Sequence, residues 1–215
     1  MRYLLVSGGT VSDTFVADVI KQGGYDVVLA VDSGMDCLYR IGILPDIIVG
    51  DFDSVIPETL NFFWAHEQID MCMLQPEKDD TDTEFAIREA IRRGANEITI
   101  VGGTGTRLDH VLGNITLLGI GLEEKISMEM LDEHNRIRMV DEPLTIRREE
   151  QYGRYLSLIP ITEQVTSVTL CGVKYPLSDY TMGGFHSLGI SNEIVDDEAS
   201  ISFSDGKLLV IESKD

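Results

Sequence analysis

Cysteine is scarce in this chain. The three present, Cys37, Cys72 and Cys171, are odd in number, far apart and never in a Cys-x-x-Cys spacing. That excludes a disulfide framework and the common zinc sites, and it reads as reduced thiols in core positions of a cytosolic protein. Positive charge is scarce too: 17 lysines and arginines face 37 aspartates and glutamates, a formal net charge of −20. Such a field repels nucleic acid and anionic membrane, which excludes non-specific binding to either. An acidic protein that handles phosphates must do so through a metal and local donors. Long apolar runs are missing as well. No stretch reaches the length of a membrane span. The apolar run at the start stops at Gly8-Gly9, too early for the core of a signal peptide. The expectation is a soluble, cytoplasmic protein with no nucleic-acid and no membrane partner.

What the chain does have is aspartate in company. Ile47-Ile48-Val49-Gly50-Asp51-Phe52-Asp53-Ser54 ends an apolar run in glycine and follows it with two carboxylates one residue apart. A second cluster is Lys78-Asp79-Asp80-Thr81-Asp82. Carboxylates gathered this densely repel each other, so a fold that brings them into one cleft needs a cation between them. Hard oxygen ligands point to Mg²⁺, held by one or two carboxylates together with substrate phosphates.

The periodicity changes once along the chain. Tyr3–Val6, Val27–Val31, Ile47–Val49, Met71–Leu74, Ile98–Val101 and Ser127–Leu131 are apolar runs of strand length, alternating with helical segments. The clearest helix is Thr83–Arg93, with Ala86, Ile87, Ala90 and Ile91 on one face, a capping box at Thr81-x-x-Glu84 and a stop at Gly94. This alternation predicts a parallel, Rossmann-like α/β sheet over residues 1–132. From 133 to 215 strand signals follow without helices, at Arg136–Val140, Leu144–Arg147, Tyr155–Ile159, Val165–Leu170 and Ala199–Phe203. They predict an antiparallel β-sandwich, which at this size is expected to lean on the first half or on a second copy. Asp205-Gly206, between Ile201–Phe203 and Leu208–Ile211, reads as a hairpin turn.

Four motifs fall just after predicted strands, on the sheet edge where open α/β proteins bind ligands. Asp32-Ser33-Gly34 follows the second strand, Asp51 and Asp53 the third, and Asp79, Asp80 and Asp82 the fourth. Gly102-Gly103-Thr104-Gly105-Thr106-Arg107-Leu108-Asp109-His110 follows the fifth. In that loop the glycines let backbone N–H groups approach phosphate oxygens, the helix beginning near Asp109 adds its positive end, and Arg107 can fork onto a phosphate. Taken singly, each motif has a plainer meaning. Asp51 or Asp53 alone reads as a turn residue, Asp80 as a helix cap, and Asp109-His110 as a helix start. Trp64 with Phe62 and Phe63 reads as core packing, His66 and His134 as surface residues, and Glu193 with Asp196-Asp197-Glu198 as a solvated turn.

The order and spacing of these elements resemble the thiamine pyrophosphokinase family over nearly the whole chain. Further matching segments are Leu44-Pro45-Asp46, Gly172-Val173-Lys174-Tyr175-Pro176-Leu177 and Ser191-Asn192-Glu193. The resemblance implies an α/β domain followed by a β-sandwich, a homodimer with the thiamine site at its interface, and transfer of pyrophosphate from ATP to thiamine. It implies Mg²⁺ on Asp51, Asp53, Asp79 and Asp82, which with Arg107 form the catalytic set. It places the ATP site at Asp32, Ser33, Gly34, Gly103, Thr104, Gly105, Arg107, Asp109, His110 and Asn114, and the thiamine pocket at Tyr175, Ser191 and Asn192. Many members carry tryptophan where this chain has Tyr175. The resemblance also leaves Asp79 or Asp80 to take the hydroxyl proton.

Two other readings stand beside it. Asp51-Phe52-Asp53-Ser54-Val55 fits the Asp-x-Asp-x-Thr/Val pattern of haloacid-dehalogenase-type phosphatases, with Asp51 as nucleophile. That pattern here follows the third predicted strand, not the first. A nucleotide or thiamine-diphosphate sensor is the non-enzymatic alternative, against which the full set of carboxylates argues.

Overall fold

The structure is a computed structural model and describes residues 1–74, 80–184 and 186–215. It divides into two compact units, Met1–Glu133 and His134–Asp215. Asp79 and Lys78 of the second acidic cluster lie outside the described residues.

In the first unit, strands and helices alternate in the order β1 (Arg2–Val6), α1 (Asp13–Gly23), β2 (Val27–Val31), α2 (Gly34–Ile41), β3 (Ile47–Gly50), α3 (Pro57–Trp64), β4 (Asp70–Met73), α4 (Asp82–Arg92), β5 (Glu97–Val101), α5 (Leu108–Glu124) and β6 (Ser127–Leu131). The sheet order is β6-β5-β1-β2-β3-β4 with every pair parallel. The chain moves outward from β1 to β4, then crosses back to β5 beside β1 and moves the other way to β6. Right-handed crossovers therefore put α1–α3 on one face and α4 and α5 on the other. Consistent with this, α2 packs on both α1 and α3, and α4 on α5. Strands covered on both faces must be apolar throughout, and Leu4, Leu5, Val6, Leu29, Ile48, Val49, Ile98 and Ile100 have no measurable exposure beyond a trace.

The second unit is two antiparallel layers. One has the order β12 (Asn192–Glu193), β9 (Tyr155–Pro160), β14 (Leu208–Ser213), β7 (Asn135–Val140). The other has β11 (Leu177–Gly183), β10 (Gln164–Cys171), β13 (Glu198–Ser202), β8 (Leu144–Arg147). Leu156, Leu158, Leu208 and Val210 of the first layer share a core with Val165, Val168, Leu170 and Ile201 of the second. Val165 and Val168 are three apart, so a regular strand would face them oppositely. A bulge centred on Ser167 (φ 54°) shifts the register between them and turns both inward. The fold is thus α/β with a β-sandwich-like C-terminal part.

Four sequence expectations need correcting. Ser204-Asp205-Gly206 does not close a hairpin: β13 pairs with β10 and β8, whereas β14 pairs with β7 and β9. The turn is a corner between layers, held by the Ser204 N–H donating to Thr166 O at 2.9 Å. Trp64 is 52% exposed and Phe62 38%, leaving Phe63 as the core member of that triplet. The cysteines are all free, but only Cys37 is buried, its thiol pushed up to about 12 chiefly by burial; Cys171 is exposed. Glu193 is a strand residue bonded to two cations, not part of a solvated turn.

Candidate active site

The strand order reverses between β1 and β5, and the crevice that opens at such a point is where open α/β sheets bind ligands. The loops leaving these two strands are tied together there. Ser7 N donates to Val101 O, Gly9 N to Gly102 O and Thr10 N to Thr104 O, each at 2.8 Å. Gly102 has φ 69°, and a Cβ on it would sit 2.2 Å from Ser7 O, so only glycine allows this approach. Asn114, one turn and a half into α5, donates from Nδ2 to Gly103 O at 2.8 Å, and Thr104 Oγ1 donates to Asp132 Oδ2 at 2.9 Å. The glycine loop is therefore fixed by partners on its own helix and at the end of β6. The β1 loop, Gly8-Gly9-Thr10, is a wall of the crevice that the sequence reading passed over. Its signal was present: a glycine pair directly after a strand.

The carboxylates converge on the adjacent strand ends. Carboxylate oxygens of Asp32, Asp51 and Asp53 all lie within 4.8 Å of one another. Asp32 and Phe52 both take left-handed backbone, φ 47° and 64°. Non-glycine residues rarely adopt it, and such strain persists at sites the surrounding structure overdetermines. With Phe52 buried by that turn, Asp51 and Asp53 project beside it, and the Asp53 N–H donates to Asp51 Oδ1 at 3.2 Å. Ser54 Oγ donates to Asp32 Oδ2, while Asp32 Oδ1 is buried with no hydrogen-bond partner. A buried carboxylate oxygen without a partner is costly, and a cation would satisfy it. Burial pushes the Asp32 carboxyl up from the usual carboxylate range. The Ser54 hydroxyl and Ser33 amide oppose that, and the charges of Asp82 and Asp51 add to it.

Asp82 is the first residue of α4 and is half-buried. The N-cap is Thr81, whose Oγ1 accepts from Glu84 N at 3.2 Å, so the cap falls to Thr81 and not to Asp80. The reverse arm of the expected capping box is replaced: Glu84 bonds Arg88 at 2.7 Å. Ser33 and Gly34 start α2, where a Cβ on Gly34 would lie 1.9 Å from Val6 O. Ser33 makes no side-chain cap bond. At the mouth of the glycine loop, exposed Arg107 grips Asp109 (Nη2–Oδ2 2.6 Å) and holds its carboxyl down at about 2. His110 is exposed on the next residue.

In the second unit, Asn192 is 4% exposed and clamps the neighbouring turn. Its Oδ1 accepts from Tyr175 N at 3.0 Å and its Nδ2 donates to Tyr175 O at 2.8 Å. The Tyr175 ring is left 61% exposed, with Lys174 Nζ 5.5 Å from its centroid. Ser191 is exposed, in left-handed backbone (φ 58°), with its N–H donating to Ser157 Oγ at 3.0 Å. Of these three, Tyr175 and Ser191 are exposed, and Asn192 sets where Tyr175 stands.

Comparison with known proteins identifies the family. Residues 22–130 match the family model for the thiamin pyrophosphokinase catalytic domain, and residues 143–208 the model for its vitamin B1 binding domain. The chain is 35% identical over 187 residues to thiamine pyrophosphokinase of Bacillus subtilis, covering 87% of both chains. It superposes on a crystal structure of the Bacillus subtilis enzyme with a TM-score of 0.88 at 32% identity, covering all of each chain. A structure of thiamin pyrophosphokinase from Geobacillus thermodenitrificans gives 0.85 at 32%, covering all of this chain and 98% of that one. The chain belongs to the thiamin pyrophosphokinase family.

Proposed function

We propose that the protein transfers pyrophosphate from ATP to the hydroxyl of thiamine, giving thiamine diphosphate and AMP. The observation that carries this reading is the Asp32, Asp51 and Asp53 cluster beside a rigid glycine-lined cradle, in a chain of this family. In the reaction the thiamine hydroxyl oxygen attacks the β-phosphorus in line. A new O–P bond forms and the bond from that phosphorus to the α–β bridging oxygen breaks, its electron pair leaving with AMP. The hydroxyl proton passes to a carboxylate, for which the acidic segment of the sequence offers Asp79 or Asp80. Such transfers depend on positioning and charge neutralisation more than on covalent help from the protein.

Hard carboxylate donors, one with a buried unpartnered oxygen, fit Mg²⁺. Asp51, Asp53 and Asp82 would hold it, with Asp32 beside Asp51 and Asp53; the further ligand expected at Asp79 lies outside the described residues. When bound, the ion supplies charge that offsets the polyphosphate and the departing AMP. Backbone N–H groups of Gly103, Thr104 and Gly105 cradle the phosphates, and Asn114 keeps that loop in shape. Arg107 supports the equatorial oxygens by exchanging its exposed ion pair with Asp109, a solvent-screened contact that is easily given up. Asp32, Ser33, Gly34, Asp109 and His110 complete the ATP site. Tyr175 offers a ring face to the thiazolium cation, an attraction of about 0.5–2 kcal/mol, and Ser191 offers a hydroxyl. A homodimer that forms the thiamine pocket between copies, working in the cytoplasm, completes the reading.

The test is incubation with Mg-ATP and thiamine, followed by phosphorus NMR. Equal amounts of AMP and thiamine diphosphate are expected. ADP with thiamine monophosphate would move the attack to the γ-phosphorus. Free phosphate released without thiamine would replace the reading with the phosphatase one.

A further inference from the structure

The second unit carries a surface depression of about 450 Å³ lined by Arg148, Gln151, Tyr152, Arg154, Glu193 and Lys214. Its size suits one small ligand. Its charge is opposite to that of the protein: three cations face one carboxylate, in a chain of net charge −20. That carboxylate is already engaged twice, by Arg154 Nε and by Lys174 Nζ, both at 2.9 Å. Arg148 and Lys214 form no ion pair among the described residues. Arg148 donates to the Val195 carbonyl at 3.2 Å, and Lys214 Nζ stands 4.5 Å from the Tyr152 ring centroid.

The depression is also held in shape. Tyr152 N donates to Glu212 Oε2 at 2.8 Å, and Glu212, wholly buried, is fixed by Arg138 at 2.7 Å. Gln151 Nε2 closes back onto the Gly153 carbonyl. The Tyr152 ring has Arg136 at 5.2 Å as well as Lys214, so it is occupied by cations instead of being free to stack on a base. Recognition at this place must therefore come from charge and guanidinium forks, which match phosphate oxygens.

We propose that this depression is an anion site for a small phosphate chain, a diphosphate or triphosphate group, separate in residues from the Asp32, Asp51 and Asp53 cluster. Cations spaced around one cavity suit an anion with several charged oxygens better than a single carboxylate. Nucleic acid is disfavoured by the overall charge. The proposal does not depend on the reaction proposed above.

The experiment is an amide NMR titration of the full chain with inorganic pyrophosphate, in EDTA so that no metal bridges pyrophosphate to the aspartates. Saturable shifts at Gln151, Tyr152, Gly153 and Lys214 are expected, with affinity falling as salt rises. The variant Arg148→Gln/Lys214→Gln removes two exposed cations and is expected to weaken binding at least about tenfold, with turnover of ATP and thiamine unchanged. A parallel titration with AMP separates the phosphate chain from a nucleotide monoester; AMP binding as tightly as pyrophosphate would overturn the diphosphate assignment. Shifts confined to Gly102–Asp109, or equal affinity in the double variant, would overturn the site itself. Because binding and turnover are read separately, loss of one does not imply loss of the other.

Discussion

At the scale of single residues, the site separates groups that act from groups that hold. Asp51 and Asp53 flank a turn that buries Phe52; Asp51 Oδ1 accepts from the Asp53 N–H at 3.2 Å, and an asparagine at 51 keeps that acceptor. Asp51→Asn or Asp53→Asn is expected to lower kcat by roughly 10³-fold, the order of losing a charge-stabilising group. Circular dichroism and the thermal midpoint should stay near wild type; near-normal turnover in saturating Mg²⁺ would remove these residues from the metal site. Asn192 is the opposite case. It is buried and bonded to both the N–H and the carbonyl of Tyr175. Asn192→Ala should cost about 2 kcal/mol of stability, because two backbone groups lose partners, and should raise KM for thiamine as the Tyr175 turn loosens. Tyr175→Ala should raise KM with little change in urea midpoint, since the ring is exposed. If both variants behaved alike, the distinction between contact and positioning would fail.

At the scale of elements, α4 is the most exposed to test, because its N-terminus carries Asp82. Thr81 caps it, and Thr81→Ala should destabilise by about 1 kcal/mol. Its C-terminal end is tied to the sheet edge by Glu89, 8% exposed, which bonds Arg92 and Arg93 at 2.6 Å, while Arg93 also reaches Asp70 of β4 at 2.7 Å. The Arg92 guanidinium above all, with Arg93, pulls the Glu89 carboxyl down from 4.5 to about 2 against the cost of burial. A depressed carboxylate stabilises the fold above its unfolded value and loses that contribution as pH falls through the folded one. The stability gap between wild type and Glu89→Gln, read from urea midpoints, should therefore be widest at neutral pH and close between 4.5 and about 2. A gap that stayed constant across that window would show that the ion pairs contribute nothing. In the second unit, the bulge at Ser167 illustrates how an element can depart from its sequence period and still bury the right side chains.

At the scale of the whole molecule, a net charge of −20 repels itself, so added KCl should raise the thermal midpoint by screening. At matched ionic strength MgCl₂ should raise it further, since an ion that binds only the folded state stabilises it, and the extra rise should vanish in Asp51→Asn. The two-part architecture was legible because periodicity is local. Strands buried on both faces read as continuous apolar runs such as Ile47–Gly50, and the second half, which has no α-helix among its described residues, reads as short alternating strands. Boundaries moved by only a residue or two, as at α4, which runs Asp82–Arg92. The site was half legible. That motifs after β2, β3 and β5 share an edge follows from parallel strands, a rule of topology that needs no coordinates. Which oxygens meet does not follow: Asp32 stands against Asp51 and Asp53 because β2 and β3 are neighbours in register and both turns adopt left-handed backbone. The role of Gly8-Gly9, the corner at Asp205-Gly206 and the clamp by Asn192 were likewise decided by contacts between distant segments. The sequence by itself determined the elements, their kind and the edge on which chemistry gathers, because these rest on neighbours a few residues apart. The tertiary structure decided which carboxylates share one ion's reach and which cations surround one depression, because those pairings depend on strand order and on turns whose geometry no local pattern encodes.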